Sequence, residues 1–308
     1  MSSFLPFSVA VVTPFDADGE FRPQDVGPLV AHLVAAGAPA LLISGSTGEQ
    51  HCLTIDERCS LYQLARDAAG PDVAIYVGVA AMKSKHAIAL AQAAAGCAVD
   101  GIMLGFTPYS KITQLDAEQY VQAVAGAASG TPIFLYNNSG RQPFDLAPES
   151  FVRILASCPN VQGVKEVVKH VVPQFRDAVA AAGSDIAQRD ELVYFSGSDA
   201  NFIEQYTLHS FTGLTSVVGQ IFTREMQQIV ESLRAGDTAA AKKTFEGIAP
   251  GVALLSEGGR LLQSIKHVLR GRGVPAGYCC LPLQPLTAAQ AAVLDRHFGD
   301  VDTAKCCV

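Results

Sequence analysis

The feature that most constrains this chain is a repeated alternation. Short runs rich in Val, Ile, Leu and Phe fall at 7–13, 40–44, 73–79, 101–104, 133–136, 161–165, 192–196 and 213–217. They recur every roughly thirty residues, the length of one βα unit, with a shorter last interval. The segments between them, at 23–36, 54–69, 85–95, 117–128 and 172–182, carry apolar residues at three- and four-residue spacing, which predicts amphipathic helices. Strand and helix in strict alternation imply a parallel sheet. Eight such units predict a (β/α)8 TIM barrel, within the size range of 308 residues. A doubly wound sheet is the alternative. That fold announces itself by a Gly-rich turn after the first strand, where this chain reads Thr13-Pro14-Phe15-Asp16.

Beyond residue 217 the pattern becomes purely helical, at 223–235, 238–255, 259–270 and 287–298. The expected organisation is a catalytic barrel over 1–222 and a C-terminal helical subdomain over 223–308. A net charge of −7 with scattered basic residues leaves no stripe to neutralise a phosphate backbone, so no nucleic-acid partner is expected. The apolar start, 1–12, has no basic segment ahead of it, and no apolar stretch reaches spanning length. A soluble cytoplasmic protein without membrane association is expected. The eight cysteines include the adjacent pairs Cys279-Cys280 and Cys306-Cys307 but no C-x-x-C, which favours reduced thiols over a disulfide framework. The seven histidines are isolated, with neither H-x-H nor H-E-x-x-H spacing, so no metal site is expected.

Active sites of such barrels sit at the C-terminal ends of the strands, so polar residues closing an apolar run are the candidates. The second run ends in Gly45-Ser46-Thr47-Gly48-Glu49, the fifth in Tyr136-Asn137 and the sixth in Lys165-Glu166. An exposed lysine with a pKa of about 10.4 is a neutral amine in only about one molecule in two thousand at pH 7. Burial in a barrel mouth disfavours the ammonium and would make Lys165 a nucleophile. The competing reading is a lysine paired with a carboxylate, and Lys169 is a second candidate nearby. Tyr136 offers a phenol for proton transfer, or a core ring with a satisfied hydroxyl. The Gly45–Gly48 segment offers hydroxyls and backbone N–H groups to a carboxylate, or is an ordinary glycine turn.

Together, G-S-T-G-E at Gly45–Glu49, Y-N at Tyr136-Asn137 with Arg141 beyond it, and G-V-K-E at Gly163–Glu166 resemble the dihydrodipicolinate synthase/N-acetylneuraminate lyase family. The likeness runs from V-V-T-P-F at Val11–Phe15 through S-G-S-D at Ser196–Asp199 and G-L-T-S at Gly213–Ser216 to the helical tail. It implies a class I aldolase or lyase in which Lys165 forms an imine with pyruvate or a related 2-oxo acid, with an aldehyde as co-substrate or product. Tyr136 would relay protons, with Ser46 linking it to solvent or substrate. Thr47, with the backbone N–H groups of Ser46 and Thr47, would hold the carboxylate beside the ketone, and Gly48 would belong to the same substrate-binding turn. Gly197 and Thr215 would line the pocket, and Arg141 would grip a distal carboxylate. No cofactor is implied, and a homotetramer of paired dimers is.

One departure bears on the substrate. Many members insert a second tyrosine into a neighbouring subunit's proton relay after the fourth strand, where this chain reads Pro108-Tyr109-Ser110. Gln142-Pro143 after Arg141 also departs from the small polar residues expected there. With Ser110 at the relay position, and Tyr109 and Ser110 as candidates for a relay at a subunit contact, a catabolic 2-oxo-acid aldolase or dehydratase is favoured. The alternatives are the synthase condensing pyruvate with aspartate semialdehyde and a non-catalytic 2-oxo-acid-binding paralogue.

Overall fold

In the computed structural model, which describes residues 5–183, 186 and 192–299, eight parallel strands close into a barrel in sequence order. They are β1 Phe7–Ala10, β2 Ala40–Ile43, β3 Ala74–Gly78, β4 Gly101–Gly105, β5 Ile133–Asn137, β6 Val161–Glu166, β7 Val193–Ser196 and β8 Gly213–Ser216. The helices between them are α1 Pro23–Ala35, α2 Ile55–Ala69, α3 Ser84–Gly96, α4 Gln114–Ala127, α5 Pro148–Ser157, α6 Val171–Ala181 and α7 Phe202–Leu208. After β8 come α8 Thr223–Arg234, α9 Thr238–Ser256, α10 Leu261–Gly271 and α11 Ala288–Phe298. Among the described residues no helix is long and apolar enough to cross a membrane.

Local chemistry explains where the helices begin. Thr54 caps α2 and Thr113 caps α4 in reciprocal capping boxes with Glu57 and Asp116, satisfying backbone N–H groups that lack helical acceptors. Pro23 and Pro148 open α1 and α5, where a missing N–H costs nothing. The strands are buried along almost their whole length, as expected of a parallel sheet covered on both faces. The first expected run is longer than β1. Val11 N–H still bonds the Leu42 carbonyl at 3.0 Å, but Val12 N–H is taken at 3.0 Å by the Gln220 side chain, which ends the strand pairing.

Contacts divide the chain into two compact units, Met1–Pro6 with Tyr76–Thr215, and Phe7–Ile75 with Ser216–Val308. The first has an aromatic centre: Tyr76, Phe134 and Phe195 are fully buried, with ring centroids 5.3 to 6.4 Å apart in edge-on and tilted arrangements. Gly101 makes room for it, since a Cβ there would lie 3.0 Å from the Tyr76 ring and 3.2 Å from that of Phe134. The second unit is centred on a buried ion pair, Lys266 Nζ to Glu49 Oε1 at 2.7 Å.

A register irregularity in the first unit sets up the site. Val161 pairs with Ile133, but Gly163 pairs with Phe134, so Gln162 is an extra residue in β6. Beyond this bulge Lys165 faces Tyr136; uninterrupted pairing would set it beside Asn137, one place along, whose side chain points to the other face. Gly163 is required at the bulge, because a Cβ there would overlap the Val193 carbonyl.

Candidate active site

Lys165 closes β6 as a buried side chain. Its register partners are Tyr136 on β5 and Phe195 on β7, and its Nζ lies 4.8 Å from the centroid of the Tyr136 ring. Lost hydration on burial pulls its pKa from an ordinary 10.5 down to about 8; the Asp199 carboxylate opposes the shift, and the Arg141 guanidinium adds to it. At pH 7 roughly one such lysine in ten is then a neutral amine, far more than an exposed lysine provides. Lys169, the other sequence candidate, instead bonds Glu204 Oε2 at 2.6 Å in an exposed ion pair.

The loop after β5 folds back over Tyr136. Asn138 donates its side-chain N–H to the Tyr136 hydroxyl at 2.6 Å, and its carbonyl accepts the backbone N–H groups of Arg141 and Gln142 at 2.9 and 3.1 Å. Gln142 is buried. It donates to the Tyr136 carbonyl at 2.9 Å and accepts from Phe106 N–H at 3.1 Å, tying the ends of β4 and β5 together. That gives a structural reason for an amide where small polar residues were expected. Arg141 is exposed on the same turn, and its charge is felt at Lys165.

Beside Lys165, Glu166 is fully buried. Its Oε1 accepts the N–H groups of Val167 and Val168 at 2.7 and 2.9 Å, and its Oε2 accepts from the Asn137 side chain at 2.7 Å. Burial raises the Glu166 pKa, and these donors hold it back. Asn137 also donates to Asp145 at 2.6 Å and accepts Leu146 N–H at 3.0 Å. This network fixes the ends of β5 and β6, and so the separation of Tyr136 from Lys165. Gly197 N–H bonds the Glu166 carbonyl at 2.9 Å. A Cβ at Gly197 would come within 3.0 Å of Lys165 Cε and 2.8 Å of Val167 Cγ1, so the glycine leaves the lysine its path. Thr215 is buried in β8, next to Leu214, which pairs with Ser196 of β7.

Ser46, Thr47 and Gly48 belong to the other compact unit, in the turn after β2. Ser46 and Thr47 are half-buried, and the Ser46 carbonyl accepts Glu49 N–H at 3.1 Å. Gly48 answers to packing, because a Cβ there would lie 3.0 Å from Thr13 Oγ1 and 3.1 Å from the Val11 carbonyl; the Thr13 hydroxyl donates to the Gly48 carbonyl at 2.7 Å. Tyr109 and Ser110 lie on the loop after β4, Tyr109 being 80% exposed and Ser110 exposed. The structure thus brings together Lys165, Tyr136, Gly197 and the charge of Arg141, adds Asn138, which the sequence did not single out, and gives Asp199, Asn137 and Glu166 contacts that their motifs did not announce.

Residues 3–297 match the dihydrodipicolinate synthetase family. A 4-hydroxy-tetrahydrodipicolinate synthase of Symbiobacterium thermophilum is 31% identical over 295 residues, 96% of this chain and 97% of that protein. One of Bacillus subtilis is 31% identical over 300 residues, 97% of this chain and all of the other. Among solved structures, a dihydrodipicolinate synthase of Bacillus anthracis superposes with a TM-score of 0.84 at 25% identity, covering 98% of this chain and 99% of its own. The barrel, the strand-end lysine and the match along nearly the whole sequence agree: this chain belongs to the dihydrodipicolinate synthetase family, a family of class I aldolases and lyases.

Proposed function

We propose that Lys165 is the imine-forming residue and that the protein is a 2-oxo-acid aldolase or dehydratase acting on a substrate with a second carboxylate. The observation that carries this is the buried Lys165 amine, with a pKa lowered to about 8, held against the Tyr136 ring. Neutral Nζ attacks the C2 carbonyl carbon. Tyr136 protonates the departing oxygen, which leaves as water, and the resulting iminium withdraws electrons from C3. In cleavage the C4 hydroxyl gives up its proton as the C3–C4 bond breaks to release an aldehyde, and the enamine left behind is protonated at C3. In dehydration C3 loses a proton and the C4 hydroxyl leaves with a proton as water. Hydrolysis of the imine then returns the lysine. Asn138 fixes the orientation of the Tyr136 hydroxyl during these transfers. Family likeness gives Ser46, Thr47 and Gly48 the 2-oxo acid's carboxylate, and gives Gly197 and Thr215 the pocket wall. Arg141, exposed and charged, suits a distal carboxylate, which a guanidinium can grip in a bidentate manner.

The aldolase or dehydratase reading is favoured by Ser110, because a serine hydroxyl is too weak an acid to stand in for a relay tyrosine. The exposure of Tyr109 beside it suits a loop completed by a subunit contact in a homotetramer. A second reading, the synthase that condenses pyruvate with aspartate semialdehyde, is favoured by the names of relatives 31% identical over nearly the whole chain. A binding protein without turnover would have no use for a lysine whose ammonium form is disfavoured by burial. The readings separate on two rates, that with pyruvate and aspartate semialdehyde and that of cleavage or dehydration across a panel of 2-oxo acids. A weak synthase rate, raised in Ser110→Tyr, supports the proposal. A robust synthase rate in the unaltered protein replaces it with the second reading.

A further inference from the structure

The second compact unit gathers thiols around a buried carboxylate, independently of the chemistry proposed at Lys165. Glu49 ends the turn that carries Ser46 and Thr47, with a left-handed φ of 52°. Its Oε1 accepts from Lys266 Nζ at 2.7 Å and its Oε2 from Cys280 N–H at 2.8 Å. Lys266 also donates to the Tyr278 carbonyl at 2.5 Å and lies 4.9 Å from the Phe15 ring centroid. Against this pair the Sγ atoms of Cys52 and Cys280 and a Glu49 oxygen all lie within 4.8 Å of one another. Cys52 and Cys280, with Cys279, line a cleft of about 800 Å³ that Arg270 and Tyr278 also line. The cleft brings a small reagent to the half-buried Cys52, with Cys280 buried behind it.

Two chemistries suit two thiols at this separation, a soft metal ion or a disulfide. The carboxylate is already neutralised by Lys266, whose ammonium would repel an added cation. The disulfide asks that the sulfurs, which lie within 4.8 Å of each other, close to about 2.05 Å. We propose that Cys52 and Cys280 form a reversible dithiol modification site, oxidised to a disulfide by hydrogen peroxide entering the cleft.

The half-buried Cys52 reacts first, since Cys280 is buried and its thiol pKa is pushed up to about 12 by that burial. Cys52 sulfur attacks one peroxide oxygen and the O–O bond breaks; the leaving hydroxide takes up the thiol proton as water, leaving a sulfenic acid. Cys280 sulfur then attacks Cys52 sulfur, the S–O bond breaks, and the second hydroxide leaves with the Cys280 proton. Two thiols and one peroxide thus give one disulfide and two waters. The Lys266 ammonium favours each attacking thiolate, but burial and the Glu49 carboxylate raise both thiol pKa values, so little thiolate is present and the oxidation is slow. The product ties the turn after β2 to the segment after α10, elements far apart in sequence.

The test treats the reduced full chain with hydrogen peroxide and maps its peptides. The expected result is loss of two titratable thiols per chain and a linked peptide pair that dithiothreitol separates. The link should vanish in Cys52→Ser and in Cys280→Ser and persist in Cys279→Ser, with circular dichroism confirming that each variant is folded. Cys52, being half-exposed, keeps the test decisive if the change at Cys280 prevents folding. Complete alkylation of both residues after oxidation would overturn the proposal, as would a link to Cys279. So would zinc bound at one per chain that protects both thiols, which would make the cluster a metal site.

Discussion

Tyr136 and Lys165 are register partners on adjacent strands, with the lysine Nζ 4.8 Å from the tyrosine ring centroid. The Gln162 bulge creates this pairing, and the Asn137–Glu166 bond at 2.7 Å holds it one residue further along. An amine and a phenol are thus fixed side by side by backbone pairing rather than by a flexible loop, which is the economical way to keep two reacting groups aligned.

The first prediction concerns pH. With a pKa of about 8 in the folded state and an ordinary value of 10.5 when unfolded, Lys165 is protonated in both states below pH 8, so the penalty for burying the ammonium is felt in full there. Between pH 8 and 10.5 the unfolded chain binds the extra proton, so this group's contribution makes stability rise with pH across that window. The penalty is at most about 3.5 kcal/mol, at ~1.4 kcal/mol per pH unit. Lys165→Met should therefore be inactive yet more stable than the parent in urea at pH 7, with the difference shrinking towards pH 10.5. In the parent, imine formation should rise with pH, with its midpoint near 8, and level off about one unit higher.

Asn138 is predicted to act through Tyr136. Asn138→Val removes the donor at 2.6 Å and leaves the Tyr136 hydroxyl without that anchor, a loss of about 1.4 kcal/mol in the proton-transfer step. The expected outcome is a roughly tenfold fall in kcat with little change in KM for the 2-oxo acid. Equal effects on both, or a fall in melting temperature alone, would make Asn138 a loop anchor only.

Arg141 is predicted to serve the longer substrate. Loss of a charge-assisted pair costs about 1.5–3 kcal/mol, so Arg141→Ala should raise KM for a dicarboxylic substrate roughly ten- to a hundredfold. Imine formation with pyruvate should be much less affected. Stopped-flow measurement of both substrates separates this from a structural role, in which both would suffer alike.

The alternation of apolar runs predicts all eight strands, because a strand buried on both faces must be apolar throughout and short. Lys165, Tyr136 and the Ser46–Gly48 turn stand out in the sequence for the same reason: they bring polar or turn residues to the ends of such runs. What was not legible depends on pairing across sequence distance. Nothing in Val161-Gln162-Gly163 announces a bulge, since its cause is the register of the neighbouring strands. Asn138 and Gln142 read as loop polarity until the chain turns back on Tyr136. Glu49 and Lys266, 217 residues apart, meet only in the folded unit, as do Cys52 and Cys280. Six of the cysteines expected as thiols, Cys52, Cys59, Cys97, Cys158, Cys279 and Cys280, are thiols in the structure, while Cys306 and Cys307 lie outside the described residues.

The central claim is that Lys165 forms an imine, and borohydride trapping tests it most directly. An imine is reducible to a stable secondary amine, whereas a salt-bridged lysine is not. Incubating the protein with pyruvate and sodium borohydride, then mapping its peptides by mass, should place one reduced pyruvate adduct on Lys165, absent in Lys165→Ala and absent without pyruvate. An adduct on Lys169, or an unmodified Lys165 under conditions that trap a relative, would contradict the account.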